Sequence, residues 1–232
     1  MPDIKANLEV IQQRITQAAK KSGRTSADIQ LIAVTKTQPV ELIEEAIQAG
    51  ITDIGENRVQ EALPKIEALR QKYSLVKFHL VGHLQRNKVK QMLGNFDLIQ
   101  SVDSERLAAE IDQRTTNHDQ PTPVLLEVNT SGERSKFGVA PELTIELLTI
   151  ISKLRKIRVQ GLMTIGLFTG DPEKVRPCFI MLRNLSEQIK KLNLPNVEMK
   201  YLSMGMTDDF EVAIEEGSNM VRIGRAIFGE RR

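Results

Sequence analysis

The sequence predicts an α/β fold, a (β/α)8 TIM barrel formed as a single domain over residues 1–232 with an additional N-terminal helix, and three observations carry that prediction. Short apolar, β-branched runs alternate with stretches of helical period. The runs are apolar nearly throughout, as strands covered on both faces are, which points to parallel strands joined by helical crossovers. Eight such units fit the 232 residues, and no Pro/Gly/Ser-rich linker or shift in composition divides them. A doubly wound open sheet satisfies the same alternation and is the competing architecture.

Taken in order, Ile4, Leu8, Ile11, Ile15 and Ala18 recur at helical spacing, so the chain opens with an amphipathic helix that ends near Gly23. The strand runs are "IQLIAVTK", "ITDIGEN", "VKFHLVG", "FDLIQSVD", "PVLLEVNT", "VQGLMTIG", "VEMKYLSMG" and "NMVRIGRAIFG". Helical stretches lie between them: "PVELIEEAIQAG", "RVQEALPKIEALRQKY", "SERLAAEIDQRT", "ELTIELLTIISKLRKI" and "VRPCFIMLRNLSEQIKKL". The basic run "QRNKVK" reads as a solvated helix start. Since "GERR" directly follows the eighth run, no closing helix is expected there, and the N-terminal helix is expected to take its place.

Composition narrows the function. Lys plus Arg (32) nearly balances Asp plus Glu (30), so the net charge of +2 gives no general attraction to nucleic acid or an anionic membrane; phosphate recognition must be local. The one cysteine, Cys178, can form no intrachain disulfide and no Cys-based metal site, and it sits in a helical apolar stretch that should bury it. No stretch approaches the roughly 18 apolar residues of a membrane span, and the N-terminus lacks the apolar core of a signal peptide, so a soluble, cytoplasmic protein is expected. His79 and His83 share no helix face and His118 falls in a polar loop, so structural histidines are expected rather than a metal site.

In a barrel of this kind the chemistry sits at the C-terminal ends of the strands. The first run ends in Lys36. A lysine there can leave the rim for water; held between apolar walls it can instead lose hydration, become a neutral amine and form a Schiff base with a carbonyl. The loop of Ser203, Gly205 and Thr207 leads to capping residues Asp208 and Asp209, offering hydroxyls and backbone N–H groups to an anion, and the eighth run carries Gly224, where backbone can approach a ligand closely. An ordinary capped helix reads the same way, but loops after the seventh and eighth strands of such barrels often hold phosphate. Arg222 alternates with Val221 and Ile223 and so faces away from them; inward, it is a buried cation in need of partners. An imine-forming lysine and a phosphate site at one mouth suit either a phosphorylated carbonyl substrate, as in a class I aldolase, or pyridoxal 5'-phosphate (PLP).

Seven segments resemble the pyridoxal phosphate homeostasis protein family, which shares the barrel of the alanine racemase N-terminal domain: "LIAVTKTQP", "GENRVQEA", "HLVGHLQRNKVK", "SVDS", "EVNTSGERSKFG", "GLMTIG" and "LSMGMTDDFEVAIEEGSNMVRIGRAIFG". The resemblance implies that Lys36 carries PLP as a Schiff base, that Asn57 lies beside the ring, that Ser203, Gly205, Thr207 and Gly224 hold the phosphate, and that Arg222 approaches the pyridine nitrogen or the phosphate. Thr207 stands where the family often has Ser, which keeps the hydroxyl, and His83 stands where Pro is familiar. An arginine at the ring nitrogen disfavours its protonation and weakens the ring as an electron sink. Neither Tyr73 nor Tyr201 has an evident claim to be the second base of a racemase. The implied function is vitamin B6 homeostasis: a PLP-binding protein and not an enzyme, with PLP-dependent apoenzymes as candidate recipients and a monomeric state. The alternative is a small PLP-dependent amino acid racemase. The sequence assigns no role to the 83–90 loop, the 130–138 loop is a candidate lid or partner-facing loop over the cofactor, and Met163, Met204 and Met206 are expected at the pocket mouth or in the core.

Overall fold

The computed structural model describes residues 2–115 and 121–230, so His118 lies outside the described residues. Strands β1 (Gln30–Val34), β2 (Asp53–Glu56), β3 (Lys77–Leu80), β4 (Leu98–Val102), β5 (Thr122–Glu127), β6 (Ile157–Met163), β7 (Val197–Ser203) and β8 (Met220–Ile223) form a closed barrel in chain order. Every neighbouring pair is parallel, and β8 returns to β1 with Ile32 beside Arg222. The helices are α1 (Ile4–Lys21), α2 (Val40–Gln48), α3 (Val59–Arg70), α4 (Val89–Met92), α5 (Glu105–Arg114), α6 (Thr144–Ile151), α7 (Arg176–Leu192), α8 (Phe210–Glu215) and α9 (Arg225–Phe228).

Side-chain alternation along the strands divides the core into two parts. Outward residues such as Ile54, Phe78, Leu80, Ile99, Leu126, Leu162, Val221 and Ile223 pack with the buried faces of the helices. Inward residues Ile32, Leu98, Leu125, Met163 and Met220 form a small separate cluster inside the barrel, with Tyr201 against it. Moving two residues along each strand from that cluster reaches Val34, Gln100, Glu127, Ser203 and Arg222, so the interior turns polar towards the C-terminal end.

The expected absence of a closing helix is corrected by the structure. The last apolar run is not all strand: β8 stops at Ile223, and "RAIF" makes the one-turn helix α9, which buries Ile227 and Phe228. α1 packs against α2, α8 and α9, and the Asn7 amide donates to Ile227 O at 2.9 Å. The N-terminal helix therefore covers the seam between the last and first units, as expected, but shares it with α9. The basic run after β3 forms a 3-10 turn (Arg86–Lys88) leading into α4. Cys178 is buried, as its setting predicts. No helix of the described residues is long and apolar enough to cross a membrane.

Candidate cofactor site

Lys36 follows β1 by two residues, in phase with inward-facing Ile32 and Val34. The backbone on either side of it is tied to α3. Lys65 Nζ donates to Thr35 O at 2.9 Å, to Glu56 Oε1 at 2.8 Å and to Glu61 Oε1 at 3.1 Å. Thr37 takes a left-handed conformation (φ 65°), its N–H donates to the Glu61 carboxylate, and its hydroxyl donates to Lys36 O. A positive φ at a β-branched residue is costly, so these bonds are what hold the chain in that turn. Glu56, 1% exposed, also accepts from Thr35 Oγ1 at 2.6 Å. Burial pushes its carboxyl above the ordinary value despite Lys65 and Thr35, and its second oxygen has no partner among the described residues.

A cavity of about 510 Å³ opens at the C-terminal end of the barrel, and its wall includes Lys36, Asn57, Thr207, Arg222 and Gly224. Ile165, Leu167 and Phe168, from the segment after β6, give it an apolar rim. Met206 lines it as well, whereas Met163 and Met204 are fully buried in the core.

One side of the cavity carries backbone N–H groups that face it unpaired among the described residues. Asp209 does not cap α8 forward; its carboxylate turns back to accept from Met206 N–H at 2.6 Å. The N–H groups of Thr207, Asp208 and Gly224 have no acceptor among the described residues. Gly205 is required beneath them: at φ +95°, an added Cβ would come within 2.6 Å of Ala213 Cβ and 2.9 Å of Phe210 Cα. At Gly224 an added Cβ would reach 3.1 Å from Val34 O, so this glycine keeps backbone within reach of the cavity. These donors come from loop backbone; α8 has only six residues.

Arg222 forms the floor. It points inward and is 4% exposed; NH1 donates to Ser203 Oγ at 2.6 Å and NH2 to Thr164 O at 2.8 Å. Burial pulls its pKa down to about 10, against the pull of Glu127 and Asp209, which leaves it a cation at neutral pH. Glu127, at the end of β5, is pushed up to about 7 by burial and by the like charge of Asp103, with Arg222 opposing.

The sequence-predicted residues thus divide. Lys36, Asn57, Thr207, Arg222 and Gly224 meet at the cavity. Ser203 and Gly205 are not in its wall: the Ser203 hydroxyl, fully buried, donates to Gln100 Oε1 at 2.6 Å while accepting from Arg222. Its single proton is committed inside the barrel, where the same hydroxyl also serves as an acceptor for Arg222. Lys65 and Glu61, which shape the Lys36 turn, escape the sequence reading; their signal is "KIEAL" following "GENRVQE", visible only once α3 is laid beside β1. Gln100 and Glu127 escape it too, although each is a polar residue at an inward position of an apolar strand. His83 stacks on Phe137 with ring centroids 3.8 Å apart, so the 83–90 and 130–138 loops touch each other, and Lys136 ties the second of them to Gly166 O. Tyr73 lies on the outside, accepting from Gln48, and neither it nor Tyr201 lines the cavity. Among the described residues no group of three or more His, Cys, Asp or Glu is placed to hold a metal ion.

Residues 4–232 match the family model "Alanine racemase, N-terminal domain". The chain is 44% identical over 225 residues to a pyridoxal phosphate homeostasis protein of Aquifex aeolicus, covering 97% of each, and 41% identical to one of Pasteurella multocida over 98% and 97%. The chain belongs to the pyridoxal phosphate homeostasis protein family. Among solved structures, PipY of Synechococcus elongatus with PLP bound superposes with a TM-score of 0.85 at 30% identity, covering 98% of this chain and 100% of that one. An alanine racemase of Clostridium difficile, 16% identical, matches with a TM-score of 0.74 across 57% of its own length, which shows a shared barrel.

Proposed function

We propose that this barrel binds PLP covalently through Lys36 and serves intracellular vitamin B6 homeostasis, holding the cofactor without catalytic turnover of its own. One observation carries the reading: the Lys36 side chain and the open N–H groups of Thr207, Asp208 and Gly224 border the same cavity. PLP bears an aldehyde and a phosphate on one ring, so this pair of features answers both of its functional groups. The family's name and the PLP held by PipY support the choice of PLP over a phosphorylated sugar.

Within that reading, Lys36 supplies the amine that condenses with the aldehyde, with loss of water. Thr207 adds a hydroxyl to the phosphate donors, Gly224 admits the anion to backbone, Asn57 borders the ring, and Arg222 places a fixed cation on the floor. When bound, PLP supplies an electrophilic carbonyl and an electron sink. Two-base racemisation would further need a second proton-transferring group opposite Lys36, and neither tyrosine occupies the cavity wall. A cytoplasmic monomer that passes PLP to apoenzymes completes the proposal.

The purified protein, supplied with PLP, is expected to show an imine absorbance band that borohydride fixes onto Lys36, found by peptide mapping. A band that persists unchanged in Lys36→Ala sinks the assignment. Solvent deuterium exchange at Cα of added amino acids well above that of free PLP would overturn the absence of turnover.

A further inference from the structure

A line of buried polar groups runs down the barrel from the cavity floor. Arg222 NH1 donates to Ser203 Oγ at 2.6 Å; Ser203 Oγ donates to Gln100 Oε1 at 2.6 Å. Gln100 Nε2 lies 3.2 Å from His79 Nδ1 and 3.2 Å from Met220 Sδ. His79 Nε2 lies 2.9 Å from Asp53 Oδ1, which also accepts from Gln30 Nε2 at 2.7 Å, while Asp53 Oδ2 accepts from Thr52 Oγ1 at 2.7 Å. All five members, Arg222, Ser203, Gln100, His79 and Asp53, are buried.

The direction of every bond follows from the two ends. A guanidinium only donates, so Ser203 must accept from Arg222 and has one proton left, which goes to Gln100. Gln100 therefore turns its oxygen to Ser203 and its NH2 to His79, so His79 Nδ1 must be the acceptor. The histidine proton then sits on Nε2 and points at Asp53. From the other end, Asp53 is held below the ordinary carboxylate value, since burial is outweighed by hydrogen bonds from His79, Thr52 and Gln30. An ionised carboxylate only accepts, and this demands the same Nε2–H form. For a neutral imidazole, one donor and one acceptor at each link is satisfied by this arrangement alone.

We infer that Gln100, His79 and Asp53 are positioning residues for Arg222: a chain of fixed polarity that keeps Ser203 an acceptor, so that the guanidinium is locked inward and its remaining N–H groups are presented to the cavity. The inference rests on the reading of that cavity as the PLP site. Without Gln100, the Ser203 hydroxyl proton has lost its acceptor and the rotor is no longer fixed, so the lone pair offered to Arg222 loses its defined direction.

The test has two parts. Nitrogen-15 NMR of the imidazoles in the PLP-free protein, assigned with His83→Asn and His118→Asn, is expected to show His79 as the neutral Nε2–H form. In Gln100→Glu an ionised side chain only accepts, so His79 is expected to carry a proton on Nδ1 as well as on Nε2. A wild-type His79 protonated on Nδ1 overturns the polarity. Separately, Gln100→Leu is expected to bind PLP about tenfold more weakly, the loss of one hydrogen bond to a charged group. Gln100→Glu still accepts from Ser203 and is expected to bind PLP close to wild type, which keeps the role testable should Gln100→Leu fail to fold. Wild-type PLP affinity in Gln100→Leu, or a tenfold loss in Gln100→Glu, overturns the positioning role, while a wild-type protein that leaves PLP unbound sinks the cavity reading and the role together.

Discussion

The ammonium of Lys65 donates to the carbonyl of Thr35 at 2.9 Å, so the residue that precedes Lys36 is anchored to α3 rather than to the barrel alone. The same ammonium pairs with Glu56, which is buried beneath it. Removing one member of a buried ion pair leaves the other charge uncompensated, so Lys65→Met is expected to lower stability by about 3 kcal/mol. Urea unfolding measures this, and Lys65→Met combined with Glu56→Gln should regain most of the loss. The Thr35–Thr37 turn loses its Lys65 anchor in either variant while keeping the bond to Glu61, so PLP uptake followed by stopped-flow absorbance should be slower in both. Uptake at the wild-type rate in the stable double variant would show that the anchor serves folding only.

The two glycines of the anion side should fail differently on substitution by alanine. Gly205 combines a positive φ with contacts under 3 Å to Ala213 and Phe210, so Gly205→Ala is expected to cost about 2–4 kcal/mol through strain and overpacking. Gly224 has φ −121° and a nearest approach of 3.1 Å to Val34 O, which a small shift relieves. Gly224→Ala should therefore melt within a few degrees of wild type and show its damage as weaker PLP binding. Equal melting temperatures for the two variants would contradict this division.

Why some of this can be read in the sequence and some cannot has a physical basis. Alternation of apolar runs and helices calls for parallel strands with crossovers and also fits a doubly wound sheet; it is the count of eight units in one undivided chain that favours a ring, whose strands then follow chain order. The inward phase of Arg222 follows from its apolar neighbours Val221 and Ile223 by the two-residue period. By contrast, "RAIF" is as apolar as the strand before it, and only its burial against α1 marks it as a helix. Ser203 has the look of a ligand group because hydroxyls near glycines often hold phosphate. Its true neighbours, Gln100 and Arg222, lie 103 and 19 residues away in sequence, and a lone glutamine in "LIQSV" gives no sign of which hydroxyl it meets.

Phe168 is 90% exposed while lining the rim of the cavity. Phe168→Ala should leave stability within about 0.5 kcal/mol of wild type, as for other exposed positions, yet speed the discharge of bound PLP by hydroxylamine. An unchanged rate would mean that the rim does not shield the covalent link.

Glu127 gives the site a pH dependence whose sign can be worked out. Burial first, and the charge of Asp103 second, raise its pKa from 4.5 to about 7, with Arg222 opposing. Between those values the folded protein holds a proton that the unfolded chain has released, so stability falls as pH rises through that window, and the penalty is complete above about 7. Glu127→Gln keeps the shape and removes the ionisation. It should raise stability by about 1–3 kcal/mol near pH 8 and change little near pH 4, because a tenfold change in proton affinity between the folded and unfolded chain corresponds to roughly 1.4 kcal/mol. The gain will sit low in that range because Arg222 loses one of the two carboxylates that favour its charge and keeps Asp209. Thermal melts at both pH values decide the matter: a Glu127→Gln protein less stable than wild type at the higher pH would mean that the carboxylate is worth more as the counter-charge of Arg222 than its burial costs.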